Sequence, residues 1–186
     1  TSSGLDATAS ATTNGGDVTV TNRDTLGTIG DEAIGIYAEA ESLSTASDFM
    51  GINATVTART TGGALAVTND GSVTTTGGSA NGIVAIGSDE SSAYTYYGGS
   101  NTTASATTTG GDVTVINGAM LRTEGIGAHG IYAEAASWGT ASDRFGTGAT
   151  ITASTTGGAL AVANNGSVTT AGNYAYGIAA KRTDDS

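Results

Sequence analysis

Apolar and polar residues alternate along most of this chain, which indicates β-strands. In the segment GGDVTVTN at 15–22, Val18 and Val20 fall on one face while the threonines between them fall on the other. The segments GIYAEA at 35–40 and ATVTA at 54–58 follow the same period of two. No stretch repeats apolar residues at helical spacing over many positions, and Thr and Gly are poor helix formers. The pattern therefore predicts an all-β chain.

The strands belong to an internal repeat. Gly-Gly pairs begin related segments in the order A, B, A, B, because GGDVTV occurs at 15 and 110 whereas GGALAV occurs at 62 and 157. A low-complexity coil does not keep such a register, whereas a repeat protein does. The repeat divides one domain into four units, at about 1–47, 48–95, 96–142 and 143–186.

The spacing of the strands predicts how they stack. From Asp17 to Gly35 there are 18 residues, and from Gly35 to Ala64 there are 29. We interpret the alternation as coils of about 18 residues in which every second coil ejects a loop of roughly 11. This predicts a single-stranded parallel β-helix, or β-solenoid, of about eight coils and roughly 38 Å in length. The spacing does not determine its hand, but parallel crossovers are overwhelmingly right-handed.

One asparagine recurs at the same place in every unit. An Asn at a solenoid corner can adopt the left-handed conformation and hydrogen-bond the backbone of its own turn or of the next coil. Asparagines in register along an axis then form a ladder. The alternative is four independent turns. We favour a structural ladder made of Asn22, Asn69, Asn117 and Asn164.

Composition alone would have suggested disorder. The 186 residues include 30 Gly, 34 Thr and 31 Ala, and the net charge is −11. A narrow solenoid has room mainly for small side chains, so the repeat accounts for this composition. With 17 acidic and 6 basic residues, the chain is a poor partner for nucleic acid. No apolar run approaches the roughly 20 residues of a membrane span, so we expect no membrane insertion of this segment.

The pattern GGDVTVTNxxxLxTxGxxAxGIYAEA, at 15–40 and nearly unchanged at 110–135, resembles the repeats in passenger regions of Gram-negative autotransporters. The absence of Cys is similar to those passengers too. The resemblance implies a type V secreted, right-handed parallel β-helix at the bacterial cell surface. It also implies a non-enzymatic stalk and interaction surface of an adhesin, whose partner is a protein or glycan on a host or neighbouring cell.

We find no catalytic constellation in the sequence. The chain has no Cys and one histidine, His129, at a position that varies among the units. Asp17 recurs as Asp112 and Glu39 recurs as Glu134. Because an active site needs only one copy, such recurring carboxylates indicate a structural role. We therefore expect that the chain is not an enzyme. A polysaccharide-processing β-helix enzyme is the third alternative, after an adhesin-like stalk and a self-assembling solenoid.

A cofactor is not expected either. Calcium is the natural metal for an acidic extracellular chain, but the GGxGxD pattern of calcium-binding β-rolls is missing, so calcium is only an alternative.

Outward Thr and Ser pairs occur at 8 and 10, 55 and 57, 103 and 105, and 150 and 152. Flat arrays of this kind can bind ice. We expect intervening rungs that carry Gly27, Met120 and Arg122 to break the array, and so we expect no ice binding.

The ejected loops are the candidate interaction sites. Segments 41–51, 88–100 and 136–147 hold six of the ten aromatic residues, and insertions on one edge are where solenoids place binding surfaces. Aromatic rings suit protein or sugar contacts, although they could instead fold back and cover the solenoid edge. A further alternative is self-association, in which solenoids stack head to tail into filaments. The candidate residues are Phe49, Tyr94, Tyr96, Tyr97, Trp138 and Phe145.

Overall fold

The structure, a computed structural model, describes residue 1 and residues 6–97 and 101–186. These ranges contain sixteen β-strands, which confirms the predicted all-β class. They contain no helix of the length and apolarity needed to cross a membrane.

The strands recur in four sets of four, which we call tiers. Tier 1 contains β1 (Thr8–Asn14), β2 (Val18–Asn22), β3 (Leu26–Ile29) and β4 (Ile34–Phe49). Tier 2 contains β5 (Thr55–Thr61), β6 (Leu65–Asn69), β7 (Val73–Thr76) and β8 (Asn81–Tyr96). Tier 3 contains β9 (Thr103–Thr109), β10 (Val113–Asn117), β11 (Met120–Glu124) and β12 (Ile131–Arg144). Tier 4 contains β13 (Thr150–Thr156), β14 (Leu160–Asn164), β15 (Ser167–Ala171) and β16 (Ile178–Asp185).

Each strand pairs in parallel with its counterparts in the neighbouring tiers. Sheet 1 is β1-β5-β9-β13, sheet 2 is β2-β6-β10-β14, sheet 3 is β3-β7-β11-β15, and sheet 4 is β4-β8-β12-β16. The chain thus passes through sheets 1 to 4 in order before it begins the next tier. This is the arrangement expected of a β-solenoid.

The register shows that one tier uses a whole repeat unit. Thr8 pairs with Thr55, Thr55 with Thr103, and Thr103 with Thr150, so paired residues lie 47 or 48 positions apart. The expectation of about eight coils of 18 residues is therefore wrong, because the structure has four tiers. Three steps of about 4.8 Å separate the outermost strands, a height of about 14 Å.

The expected ejected loops are also wrong, since segments 41–51 and 136–147 lie mainly within β4 and β12, and most of 88–100 lies within β8. Residues 98–100 lie outside the described residues. Sheet 4 continues because the alternation continues: Ser42, Ser44, Ala46 and Asp48 point inward and are buried. These inward residues are small or polar, which is why a search for apolar residues missed the strand.

Two apolar clusters fill the interior. The first lies between the beginning of sheet 4 and sheets 2 and 3, and it contains the larger side chains, such as Leu65, Ile83, Leu121 and Ile131. The second lies between the end of sheet 4 and sheet 1, and apart from Val56 it is made of alanines. The tiers are therefore narrow where sheets 1 and 4 face each other.

Threonine hydroxyls bridge this narrow part in every tier. Each donates to a backbone carbonyl of sheet 4 that lies 30 residues further along the chain. The bonds are Thr13 to Leu43 (2.8 Å), Thr60 to Glu90 (2.5 Å), Thr108 to Trp138 (2.6 Å) and Thr155 to Asp185 (2.8 Å). Sheets 1 and 4 are thus joined by hydrogen bonds as well as by packing.

The four-tier register predicts which engineered cysteines will form a disulfide. Thr57 and Ser105 are outward neighbours in adjacent tiers, so their Cα atoms lie about 4.8 Å apart, within the range of a disulfide. We expect the Thr57→Cys/Ser105→Cys double variant to oxidise to an intramolecular disulfide, measured by intact mass and thiol titration. In the control Ser10→Cys/Ser105→Cys, the cysteines are two tiers apart and should stay reduced. Efficient oxidation of the control alone would contradict this register.

Candidate functional site

The four recurring asparagines form a hydrogen-bonded column at the end of sheet 2. Asn22 Nδ2 donates to Asn69 Oδ1 (2.8 Å), Asn69 Nδ2 to Asn117 Oδ1 (2.7 Å), and Asn117 Nδ2 to Asn164 Oδ1 (2.7 Å). Asn69 and Asn117 are fully buried. The column is directional, because every bond runs from the lower tier to the upper one.

The conformation of these asparagines differs from the expected one. They end strands, and none has a positive φ. Three of the side-chain amides also donate to the backbone carbonyl two residues later in the same turn. Asn22 Nδ2, for example, donates to the carbonyl of Asp24 (2.9 Å). The side chains therefore span both the turn and the next tier without left-handed backbone.

A second polar column lies inside the solenoid and was missed in the sequence. Ser42, Asp89, Ser137 and Asp184 occupy equivalent inward positions. Asp89 is 3% exposed, and its Oδ2 accepts from the backbone N–H of Gly111 in the next tier (2.9 Å). Burial raises the pKa of Asp89, while the hydrogen bonds from Gly111 and from the Ser42 side chain oppose the shift. The sequence signal was the 95-residue recurrence of Asp89 as Asp184.

Four predicted interaction residues come together at the corner where sheet 4 ends. The rings of Phe49 and Tyr96 stack with centroids 6.2 Å apart, and those of Tyr97 and Phe145 stack at 5.5 Å. Phe49 also meets Tyr97 edge to face at 5.5 Å. The Arg144 guanidinium lies over Tyr96 at 5.7 Å and over Phe145 at 5.2 Å. We call Phe49, Met50, Tyr96, Tyr97, Arg144 and Phe145 together the aromatic corner.

The aromatic corner is exposed and its turn residues are strained. The exposed fractions of Phe49, Tyr97 and Phe145 are 51%, 55% and 68%, so half or more of each side chain is open to solvent while the rings stack on one another. Met50, Tyr97 and Phe145 occupy equivalent turn positions with φ of 80°, 52° and 72°. Bulky residues in this region cost about 1–3 kcal/mol each, and such strain clusters at functional sites.

The other two predicted residues lie on the outer face of sheet 4, Tyr94 two residues before Tyr96 and Trp138 further from the corner. Tyr94 is half-buried between Ser47 and Ser142 of the adjacent tiers. Trp138 stacks in register between Glu90 and Asp185 and lines a cavity of about 280 Å³ at the end of β16.

The recurring carboxylates are held in structural contacts. Asp17 Oδ1 accepts from the backbone N–H of Ala64 (2.8 Å), and Asp112 Oδ1 accepts from Ala159 in the same way (2.7 Å). Both carboxylates thus fix the start of sheet 2 in the tier above them.

On the outer face of sheet 4, tyrosines donate to the glutamates two residues later. Tyr37 donates to Glu39 (2.6 Å), and Tyr132 donates to Glu134 (2.5 Å). The bond to Glu134 raises the pKa of Tyr132 to about 12, with burial adding to the shift. The same bond, aided by Lys181 at 3.0 Å, lowers the pKa of Glu134.

His129 lies at the corner between sheets 3 and 4. Its Nδ1 accepts from the backbone N–H of Tyr176 (3.2 Å), and its ring packs against the rings of Tyr132 and Tyr176. These contacts are those of a turn residue packed between tiers.

Among residues 6–97 and 101–186, no group of three or more His, Cys, Asp or Glu side chains converges as a metal site would require.

The outward Thr and Ser array does not have the intervening rungs that we expected. Thr8, Thr55, Thr103 and Thr150 stack directly in sheet 1, and Thr57 and Ser105 stack likewise. The reason given for excluding ice binding is therefore wrong. Charged Arg59 lies in the next outward column of sheet 1, beside these two columns, at an equivalent position to Thr107.

Searches against protein-family models, curated proteins and solved structures found no significant match to the chain.

The asparagine column predicts a graded effect of substitution on stability. Asn117→Ala leaves the buried amide of Asn69 without its acceptor and Asn164 without its donor, which should cost about 2–4 kcal/mol of unfolding free energy. Asn22→Ala removes only one such bond, at a more exposed position, and should cost about 1 kcal/mol. Urea unfolding followed by circular dichroism measures both. Equal costs would argue against a cooperative column.

The raised pKa of Asp89 predicts a pH-dependent difference from the Asp89→Asn variant. The folded state binds a proton at a pH where the unfolded carboxyl is still ionised. The Asp89 contribution to stability therefore rises as pH falls through the folded pKa and is complete below the ordinary value of 3.8. We expect Asp89→Asn to gain stability relative to the wild type at pH 7, and this gain to shrink towards pH 4 in urea unfolding. A gain that grows on acidification would contradict the assignment.

Proposed function

We propose that the chain is a segment of a non-enzymatic, surface-exposed β-solenoid that serves as stalk and interaction surface of an adhesin-like protein. We further propose that it is a right-handed parallel β-helix, because parallel crossover connections are overwhelmingly right-handed. The resemblance of 15–40 and 110–135 to autotransporter passenger repeats supports secretion to a bacterial cell surface.

The aromatic corner is the observation that carries the interaction part of the proposal. Soluble proteins rarely expose contiguous apolar patches without a function, and aromatic rings and Arg are enriched where binding energy concentrates. Tyr96, Tyr97 and Arg144 combine apolar area with polar groups, which suits a protein or glycan surface. Retaining large side chains at turn positions where glycine would be less strained also supports a selected surface.

The contacts of the carboxylates support a non-enzymatic role. Asp17 and Asp112 are engaged with backbone amides of the next tier, and Glu134 is engaged with Tyr132 and Lys181. A glycosidase needs two carboxyl groups that flank the scissile bond, whereas these carboxylates are hydrogen-bonded to structural partners.

Removal of the aromatic corner should weaken adhesion without unfolding the solenoid. We expect the Tyr96→Ala/Tyr97→Ala/Phe145→Ala variant to bind target cells or an arrayed glycan at least about tenfold more weakly, since interface aromatics each contribute more than about 1 kcal/mol. The far-UV spectrum should not change, because all three rings are exposed.

The matched control is Tyr174→Ala/Tyr176→Ala, which removes two exposed aromatics at a different corner. This variant should bind as the wild type does. Binding by the corner variant equal to that of the wild type would remove the aromatic corner from the proposal, and an equal loss in both variants would point to a non-specific aromatic effect.

A further inference from the structure

The outer face of sheet 1 carries two uninterrupted columns of hydroxyl-bearing residues. Every tier contributes one residue to each column, because the register of sheet 1 places equivalent outward residues directly above one another. All eight side chains are exposed or half-buried. The first column consists of Thr8, Thr55, Thr103 and Thr150, and the second consists of Ser10, Thr57, Ser105 and Thr152. We call these eight residues the hydroxyl array.

The hydroxyl array is regular in both directions. Adjacent tiers are about 4.8 Å apart, and outward residues two positions apart on one strand are separated by roughly 6.6 Å. Six of the eight residues are threonines, whose branched side chains are restricted at χ1 and therefore hold their hydroxyl and methyl groups in place. The tier spacing is close to the distance at which oxygen atoms repeat in hexagonal ice.

The fold does not use the hydroxyls of this array. Within the described part of the chain, none of the eight is hydrogen-bonded to another protein group. The inward threonines of the same strands differ, since Thr60 and Thr108 donate to backbone carbonyls of sheet 4. The outward hydroxyls can therefore bond to water, at positions that the strands determine.

Sheet 2 shows that outward positions of this solenoid do not need a hydroxyl. One of its outward columns contains Thr19 and Thr114, but Ala66 lies between them and Ala161 lies in the tier above. The A and B alternation thus breaks the column in sheet 2. In sheet 1 both columns keep a hydroxyl in every A and every B unit, so packing alone does not account for the hydroxyl array.

The hydroxyl array is also neutral. The chain has 17 acidic and 6 basic residues, but neither column contains a charged or an aromatic residue. Arg59 lies beside the array, between Thr12 and Thr107 in the third outward column. A charged group orients its own hydration shell, which would not match a crystal of water. The lack of aromatic rings makes the array a poor surface for stacking on sugars.

We propose that the outer face of sheet 1 binds ice. The two columns of hydroxyl and methyl groups order water at a spacing that continues the ice lattice, and the bound protein then prevents growth of the crystal beside it. Each contact with water is weak, so binding requires many regularly spaced groups to act together. This activity is independent of the aromatic corner, because sheet 1 and the end of sheet 4 present different surfaces.

The first test measures enrichment of the protein in slowly growing ice, together with thermal hysteresis, which is the gap between the melting and freezing points. The wild type should be enriched in ice and show thermal hysteresis. Thr103→Arg places a charge in the middle of the array and should lose most of both. The fold tolerates an outward arginine in this sheet at Arg59, so the far-UV spectrum should not change. The matched control Thr114→Arg, in the same tier but on sheet 2, should behave as the wild type does.

The second test enlarges the hydroxyl array. Arg59→Thr adds a third column, in line with Thr12, Thr107 and Ser154, and should increase thermal hysteresis. The matched control Arg122→Thr removes the same charge from an outward position of sheet 3, between Thr74 and Thr169. This control should leave thermal hysteresis unchanged.

Several outcomes would overturn the proposal. A wild type that growing ice excludes as completely as a non-binding protein of similar size would show that the array does not bind ice. Equal losses in Thr103→Arg and Thr114→Arg, or equal gains in Arg59→Thr and Arg122→Thr, would show that net charge and not the array governs the effect. Binding of the wild type to insoluble cellulose, lost in Thr103→Arg and without enrichment in ice, would identify a crystalline glycan as the ligand instead.

Discussion

The whole structure depends on one constraint, which is that every residue stacks on its own counterpart in the next tier. Like charges about 4.8 Å apart in adjacent strands repel each other, so a repeat with a single kind of unit could not carry charge at these positions. The alternation of A and B units resolves this conflict. Asp17 and Asp112 are separated by Ala64, and Glu134 meets Lys181 in the tier above.

Stacking on like residues also determines how the interior is held together. The second apolar cluster consists largely of alanines, whose burial removes little apolar area from water. Its narrowness lets the hydroxyl of Thr60 or Thr108 reach the backbone of the opposite sheet. Hydrogen-bonded columns such as that of Asn69 and Asn117 supplement the strand ladders along the axis. Hydrogen-bonded polar groups therefore contribute part of the stability that large apolar side chains provide in other cores.

The sequence was sufficient to predict strands, their parallel stacking and the asparagine positions, because each of these leaves a local or periodic signal. It was not sufficient for the length of a tier. Apolar alternation is visible at Val18 and Val20, but in β4 the inward positions change to Ser42 and Ser44. Ser44 is buried with its hydroxyl 2.8 Å from that of Thr60, and Ser42 is buried with a hydrogen bond to Asp89. A partner from another strand is not visible in a one-dimensional pattern, so the pattern predicts a loop where the structure has a strand.

The candidate site shows where the stacking constraint ends. At the end of sheet 4, the inward residues of the two A tiers are the same, since Ala46 and Asp48 recur as Ala141 and Asp143. The residues that follow this shared segment are not, because Phe49 and Met50 of tier 1 correspond to Arg144 and Phe145 of tier 3. Packing determines the first set and leaves the second set free to vary. Large, exposed side chains nonetheless occupy these free positions, and Met50 and Phe145 have the positive φ that favours glycine. The fold does not require them there, and the proposed interaction therefore rests on these residues.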